Sequence, residues 1–301
     1  MAINRAQLAK ELEPGLNALF GLEYAQYENQ HAEIFDTETS DRAFEEEVML
    51  SGFASASVKP EGSSVNFDTA TESFTARYSH ETVALAFQIT EEAVEDNLYD
   101  KVSTRYTKAL ARSMAHTKQV KAANVLNNAF SSSVTGGDGK ELCATDHPTT
   151  SGNQKNELTT AADLNETSLE QALIDIAAFE DDRGLKVAAK ARKMIIPSAL
   201  QFTAERLRAS ANRTATADND INAVKSMGMM PEGYVVNNYL TDTDAFFIKT
   251  DVPNGLKHFQ RAAVATSMEG DFETGNVKYK ARERYSFGFS DWRGMFASEG
   301  A

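Results

Sequence analysis

Alternation of apolar and charged residues is clearest near the C-terminus. Val277, Tyr279, Ala281, Tyr285, Phe287 and Phe289 share one parity there, and Lys278, Lys280, Arg282 and Arg284 share the other. A period of two predicts a long strand with a core face and a basic stripe on the opposite face. Val83, Leu85, Phe87 and Ile89 alternate in the same way and run into Thr90-Glu91-Glu92, a hydroxyl N-cap followed by acids in a first helical turn. A strand therefore feeds a helix. The next glycine is Gly136, and Val94, Leu98, Val102, Tyr106, Leu110 and Met114 fall on one helical face while Lys101, Arg105, Lys108, Arg112 and Lys118 lie mostly elsewhere. Such a helix of about 40 residues would reach roughly 60 Å, twice the diameter of a small domain.

Gly136-Gly137-Asp138-Gly139 predicts the end of that helix. Beyond a polar loop, Thr167-Ser168-Leu169-Glu170 predicts a capping box for a helix reaching Gly184, with Leu169, Leu173 and Ile176 buried. Lys193 to Ile196 reads as a short strand stopped by Pro197, and Ser198 with Gln201 as a second capping box for a helix to about Ser210. Further strands are expected at 234–237, 245–250 and 261–266, completing a small α/β layer. Upstream, Lys59-Pro60-Glu61-Gly62-Ser63 is a turn signal between two stretches, 51–58 and 64–70, that read as the arms of a long hairpin. Both arms are poor in large apolar side chains, so the hairpin either needs a partner surface or is a mobile flap. Residues 1–47 show a short apolar series at Leu8, Leu12, Leu16 and Phe20, broken by Pro14-Gly15. They read as an extended arm, with a solvated helical hairpin as the alternative.

Charge sharpens this division. The 301 residues carry 30 Lys and Arg against 44 Asp and Glu, a net charge of -14, which argues against wrapping nucleic acid electrostatically. In residues 1–47 only Arg5, Lys10 and Arg42 oppose eleven acids, among them the run Glu45-Glu46-Glu47. A single cysteine, Cys143, excludes an intramolecular disulfide. No apolar run approaches the roughly 18 residues needed to span a bilayer, and Glu11, Glu13 and Pro14 interrupt the place of a secretory apolar segment. A soluble protein with no membrane partner is expected.

Few residues offer chemistry. Gly139-Lys140 is followed by Glu141 and preceded by Val134 where a phosphate-binding loop needs glycine, and the common dinucleotide and hydrolase signatures are missing. Cys143, Asp146 and His147 could begin a metal site or form a Cys/His pair, but no fourth ligand is evident, and Asp-His-Pro is also an ordinary turn former. The stripe Lys278, Lys280, Arg282 and Arg284 reads best as a salt-bridging surface for a neighbouring subunit. Glu45-Glu46-Glu47 or Glu91, Glu92 and Glu95 are candidate partners, and a merely solvated face is the alternative.

The order of parts resembles the major capsid protein of tailed bacteriophages, the fold named after phage Hong Kong ninety-seven. The likeness rests on the acidic arm, the long hairpin, ALAFQITEEAVEDNLYDKVSTRYTKALARSMAHTKQVKAANVLNNAF, a loop with ATDHP, an α/β region and the closing YKARERYSFGFSDWRG. It implies an α+β subunit divided into an N-terminal arm (1–47), an extended E-loop hairpin (48–78), and a P-domain whose first part (79–159) holds a spine helix over about 90–131. An A-domain (160–260) and P-domain closing strands (261–301) complete it. The implied function is a structural, non-enzymatic shell subunit without cofactor or metal. It would assemble with itself through pentamers and hexamers into an icosahedral shell around double-stranded DNA, in a virion put together in the host cytoplasm. A portal protein is an expected partner, and separate scaffold and decoration proteins are possible partners. About 47 residues before the hairpin are too few for a removable scaffolding segment, so scaffolding is expected to come from another protein or to be unnecessary. Lys59, Pro60, Glu61 and Gly62 at the hairpin tip are candidate intersubunit contacts. Some relatives weld subunits by a Lys-Asn isopeptide bond, but no local motif marks an asparagine partner for Lys59, and that chemistry is not carried over. A virion-associated enzyme using Cys143 or His147, or a tail or scaffold protein, are the alternatives.

Overall fold

A computed structural model describes residues 5–90, 92, 99–213, 220–271 and 273–301. Its first sheet has the order β1-β8-β9-β4, built from β1 (Asp36–Thr39), β8 (Leu256–Gly270), β9 (Val277–Phe289) and β4 (Glu81–Ile89). β1 runs parallel to β8, and the other pairings are antiparallel. The expected parity of β9 is present: Tyr279, Ala281 and Tyr285 are buried, while Lys278, Lys280 and Arg282 are exposed. Glu283 shares the buried side, and Arg284 is half-buried.

Helix α1 (Arg5–Gln26) and the spine helix α2 (Tyr99–Asn127) cover the buried face. The proposed start of the spine, with Glu91, Val94, Glu95 and Leu98, lies outside the described residues; Glu92 is helical and exposed. Two helical-face expectations fail. Tyr106 is 51% exposed, and Lys118 is buried at 7% because it meets Glu283 beneath the sheet. The extended arm expected over 1–47 is also corrected, since α1 continues through Pro14. An internal proline costs a helix about 3 kcal/mol. Burial of Leu16 and Phe20 against Leu110, Ala111, Met114, Tyr279 and Ala281 offsets that cost.

A second sheet has the order β10-β7-β5-β6, with β5 (Ala191–Ile196), β6 (Tyr234–Val236), β7 (Phe246–Thr250) and β10 (Met295–Ser298). Met194, Ile196, Phe246, Ile248 and Phe296 pack toward α3 (Glu166–Ala177) and α4 (Gln201–Ala209). Alternate residues Ile195, Phe247, Met295 and Ala297 join Ala122 and Leu126 of the spine. The spine thus reaches from one sheet to the other, and β10 returns the C-terminus to the second sheet instead of leaving all of 261–301 with the first. Helix α3 is capped reciprocally by Asn165 and Ser168, not by Thr167 and Glu170, and ends before Gly184. The expected Ser198/Gln201 capping box does not form; a short 3-10 turn leads into α4 with no side-chain cap.

The hairpin is displaced from its expected strands. Its ladder pairs β2 (Phe44–Leu50) with β3 (Glu72–Ser79), so Glu45, Glu46 and Glu47 lie in a strand and not in an arm. Residues 52–70 form no strand. The turn itself is present, with Ser63 N donating to Pro60 O at 3.2 Å. Tyr78 seats the hairpin on β9: a Cβ at Gly288 would lie 2.8 Å from its ring, and its hydroxyl is 2.5 Å from Ser290 Oγ. No described helix is long and apolar enough to cross a membrane.

Candidate assembly surfaces

Two surfaces of the subunit have few partners within it among the described residues. The first is the hairpin end. Lys59, Pro60, Glu61 and Gly62 are all exposed, as are Phe53, Val58, Val65 and Phe67, the last at 96%. Large apolar side chains left this open on a segment without its own core form an incomplete surface.

The second is the outer face of the first sheet. Along β9, Arg284 lies between Thr82 and Ala262, Arg282 between Ala84 and Ala265, and Lys280 between Ala86 and Ser267. Beside these short neighbours Lys280 and Arg282 stand exposed, whereas Arg284 is half-buried. Lys278 is paired with Asp271 at 2.7 Å in its own chain. No ion pair to Lys280, Arg282 or Arg284 occurs among the described residues, and the buried Nε atoms of Arg261 and Arg284 have no hydrogen-bond partner.

The acids expected to meet this stripe are placed differently. Glu47 pairs with the buried Lys257 and accepts from Ser290 Oγ, Glu45 accepts from Ser40 Oγ at 2.7 Å, and Glu46 lies 3.8 Å from Arg77. Glu45 and Glu47 thus fix the hairpin root within the subunit. Strand alternation turns both toward the body and leaves Glu46 outward, so Glu45 and Glu47 are already engaged within the subunit.

The Cys143, Asp146 and His147 loop is a structural knot. Cys143 is buried, and desolvation pushes its thiol well above the ordinary value, against thiolate formation. His147 is fully buried, with Nδ1 2.7 Å from Asp138 and Nε2 3.0 Å from Asn156 Oδ1, and its ring stacks on Trp292 at 4.4 Å. Asp146 instead pairs with Lys140. Both ring nitrogens are occupied, which removes the Cys/His pair. No group of three or more potential ligands among the described residues could hold a metal ion.

Sequence reading missed three charged groups. Glu283 was marked only by a break in the apolar parity of β9, while Asp68 and Arg183 carry no local signal because their partnership spans 115 positions.

The two-sheet body, the long helix beneath it and the projecting hairpin define a structural subunit whose outer surfaces are unfinished. A family model described as phage capsid protein matches residues 73–298, and the chain belongs to that family. The fold is that of tailed-phage capsids. It is similar to the capsid of a native GTA particle (12% identity, TM-score 0.56, covering 91% of this chain and 92% of that one) and to the capsid of cyanophage P-SCSP1u (13%, 0.56, 89% and 86%). A virus-like particle from Pyrococcus furiosus is similar at 10% identity and TM-score 0.51, covering 94% and 97%. No curated protein matches the sequence.

Proposed function

We propose that this phage capsid protein is the major head subunit, assembling with itself through pentamers and hexamers into an icosahedral shell around double-stranded DNA. The observation that carries this reading is the hairpin: its end leaves Phe53, Val58, Val65 and Phe67 exposed at 60% or more, beside no core of its own. A repeated contact of one face with a different face of the next copy closes into rings when the rotation closes. In this reading the N-terminal segment that holds α1 is the arm, the β2–β3 hairpin with its end is the E-loop, the first sheet with the spine helix is the P-domain, and the second sheet with α3 and α4 is the A-domain. The tip at Lys59, Pro60, Glu61 and Gly62 and the stripe at Lys278, Lys280, Arg282 and Arg284 are the intersubunit contacts. The net charge of -14 favours DNA enclosed by the wall over DNA gripped by it. A portal protein, with separate scaffold or decoration proteins, completes a virion assembled in the host cytoplasm, and the subunit has no catalytic role.

Negative-stain microscopy and sedimentation of the purified chain, alone and with any scaffold present, test the reading. Pentamers, hexamers or closed shells are expected. A strictly monomeric 32.9 kDa species at every concentration and salt tested overturns it.

A further inference from the structure

The hairpin end is tied to its own subunit at one place. At the root, Ser51 N donates to Thr71 O at 2.9 Å, and the two hydroxyls lie 3.1 Å apart. Just beyond it, Asp68 gathers both arms: Ala54 N donates to Oδ2 at 2.7 Å and Thr69 N to Oδ1 at 2.9 Å. The same carboxylate receives one guanidinium nitrogen of Arg183, 3.1 Å and 3.2 Å from its two oxygens. Among the described residues, this is the only hydrogen-bonded tie between 52–70 and the rest of the chain. The backbone donors, then Arg183, hold the Asp68 carboxyl below its usual value, so it remains charged.

Arg183 stands on a fixed platform. Asp181 Oδ1 accepts from both Arg183 N and Leu185 N at 2.8 Å, Gly184 supplies the left-handed turn at φ +82°, and Arg293 Nε donates to Glu180 O at 2.7 Å. Beyond Asp68, residues 55–67 lead to the turn at Pro60 and back; about six residues each way span at most roughly 20 Å. A small change of angle at the knot therefore moves the tip by several ångströms.

We propose that Asp68 and Arg183 are positioning residues that set the direction in which the hairpin leaves the subunit, presenting Lys59 to Gly62 to a second copy of the chain. A loop with no core would otherwise lose freedom on docking, and a preset direction reduces that cost. With the two side chains 38% and 23% exposed, the pair contributes little to subunit stability. Its effect falls on geometry.

The test uses the full chain, spin-labelled at Ser63→Cys and Ile174→Cys, both exposed sites, with buried Cys143 left unlabelled. Double electron-electron resonance on dilute, unassembled subunits is expected to give a narrow distance distribution, lost in Arg183→Asp and retained in Arg183→Lys. Lysine suffices because a single nitrogen makes both contacts. Thermal melting is expected to stay unchanged, and should Arg183→Asp melt early, Arg183→Gln carries the same comparison. Equal widths in the wild type and the neutral or reversed variant, or a lysine variant as broad as the aspartate one, overturn the proposal. Shell yield gives a second readout that rests on the shell-subunit reading. If the wild type forms no shells, that reading fails and the distance result still decides this one. If the wild type assembles and Arg183→Asp yields equally many normal shells, the positioning role is refuted.

Discussion

Lys118 of the spine helix and Glu283 of β9 form an ion pair sealed between helix and sheet, with Nζ 2.5 Å from Oε1 and side chains 9% and 2% exposed. Tyr24 of α1 donates to the other carboxylate oxygen at 3.2 Å. Helix α1, spine and sheet therefore converge on one carboxylate, and desolvation, then the Glu283 charge, push the Tyr24 phenol well above its ordinary value.

Replacing Glu283 by glutamine keeps an acceptor for Tyr24 but strands the Lys118 charge. A broken buried pair costs about 3–5 kcal/mol, and urea unfolding of Glu283→Gln should show a loss of that order. The double variant Lys118→Met/Glu283→Gln should recover most of it. A double variant no more stable than the single one would mean that the pair contributes through packing alone.

Where the sequence was legible, local period and burial agreed. The β9 parity, the β4 strand and the Pro60 turn could be read because each depends on residues a few positions apart. Contacts set by distant chain segments were not legible. Pro14 predicts a break unless Tyr279 and Met114 are known to lie beneath Leu16 and Phe20. Nothing near Asp36 announces its parallel pairing with Lys257, and nothing near Met295 announces its return to Lys249. At the surfaces, the exposed cations were readable from alternation, but whether an acid was free or already committed, as Glu47 is to Lys257, required the fold.

Acid should loosen the attachment of the 30–37 segment. His31 and His258 meet edge to face at 5.3 Å, near Lys118, and Thr37 Oγ1 lies 3.2 Å from His258 Nδ1. Burial, then the Lys118 charge, lowers the His31 value to about 4 and the His258 value to about 3. Both pKa values fall on folding, so between these values and 6.5 the unfolded chain binds more protons. Stability is retained above about pH 6.5 and is lost as pH falls toward 4 and 3, by on the order of 2–4 kcal/mol per histidine. Urea melts at pH 7, 5.5 and 4.5 should show this decline. His258→Gln should flatten it, whereas an unchanged slope in that variant would assign the decline to other groups.

Glu157 should act in the opposite sense. Its carboxyl is raised to about 7, chiefly by burial and then by Glu141 and Glu299. The folded state holds this proton more tightly than the unfolded chain, so Glu157 lowers stability as pH rises from about 4.5 through 7. Glu157→Gln should melt higher than the wild type at pH 8, with the gain vanishing at pH 4.5. Equal melting temperatures at pH 8 would show that water reaches the carboxylate freely.

Reversing the centre of the stripe should separate assembly from folding. Side chains two apart on a strand stand about 6.6–6.8 Å from one another, so Lys278, Lys280, Arg282 and Arg284 form a row roughly 20 Å long. An exposed ion pair is worth only about 0–1 kcal/mol, and a single substitution should therefore do little. On the proposed interface Lys280→Glu/Arg282→Glu would convert attraction into repulsion at every copy of the contact, while Tyr279, Ala281, Glu283 and Tyr285 on the buried side remain untouched. The unassembled double variant should melt like the wild type yet give a reduced shell yield at low salt, with the deficit shrinking at high salt as the repulsion is screened. Normal shells at low salt would refute the interface assignment. A lowered subunit melt would place the stripe's partners within its own chain.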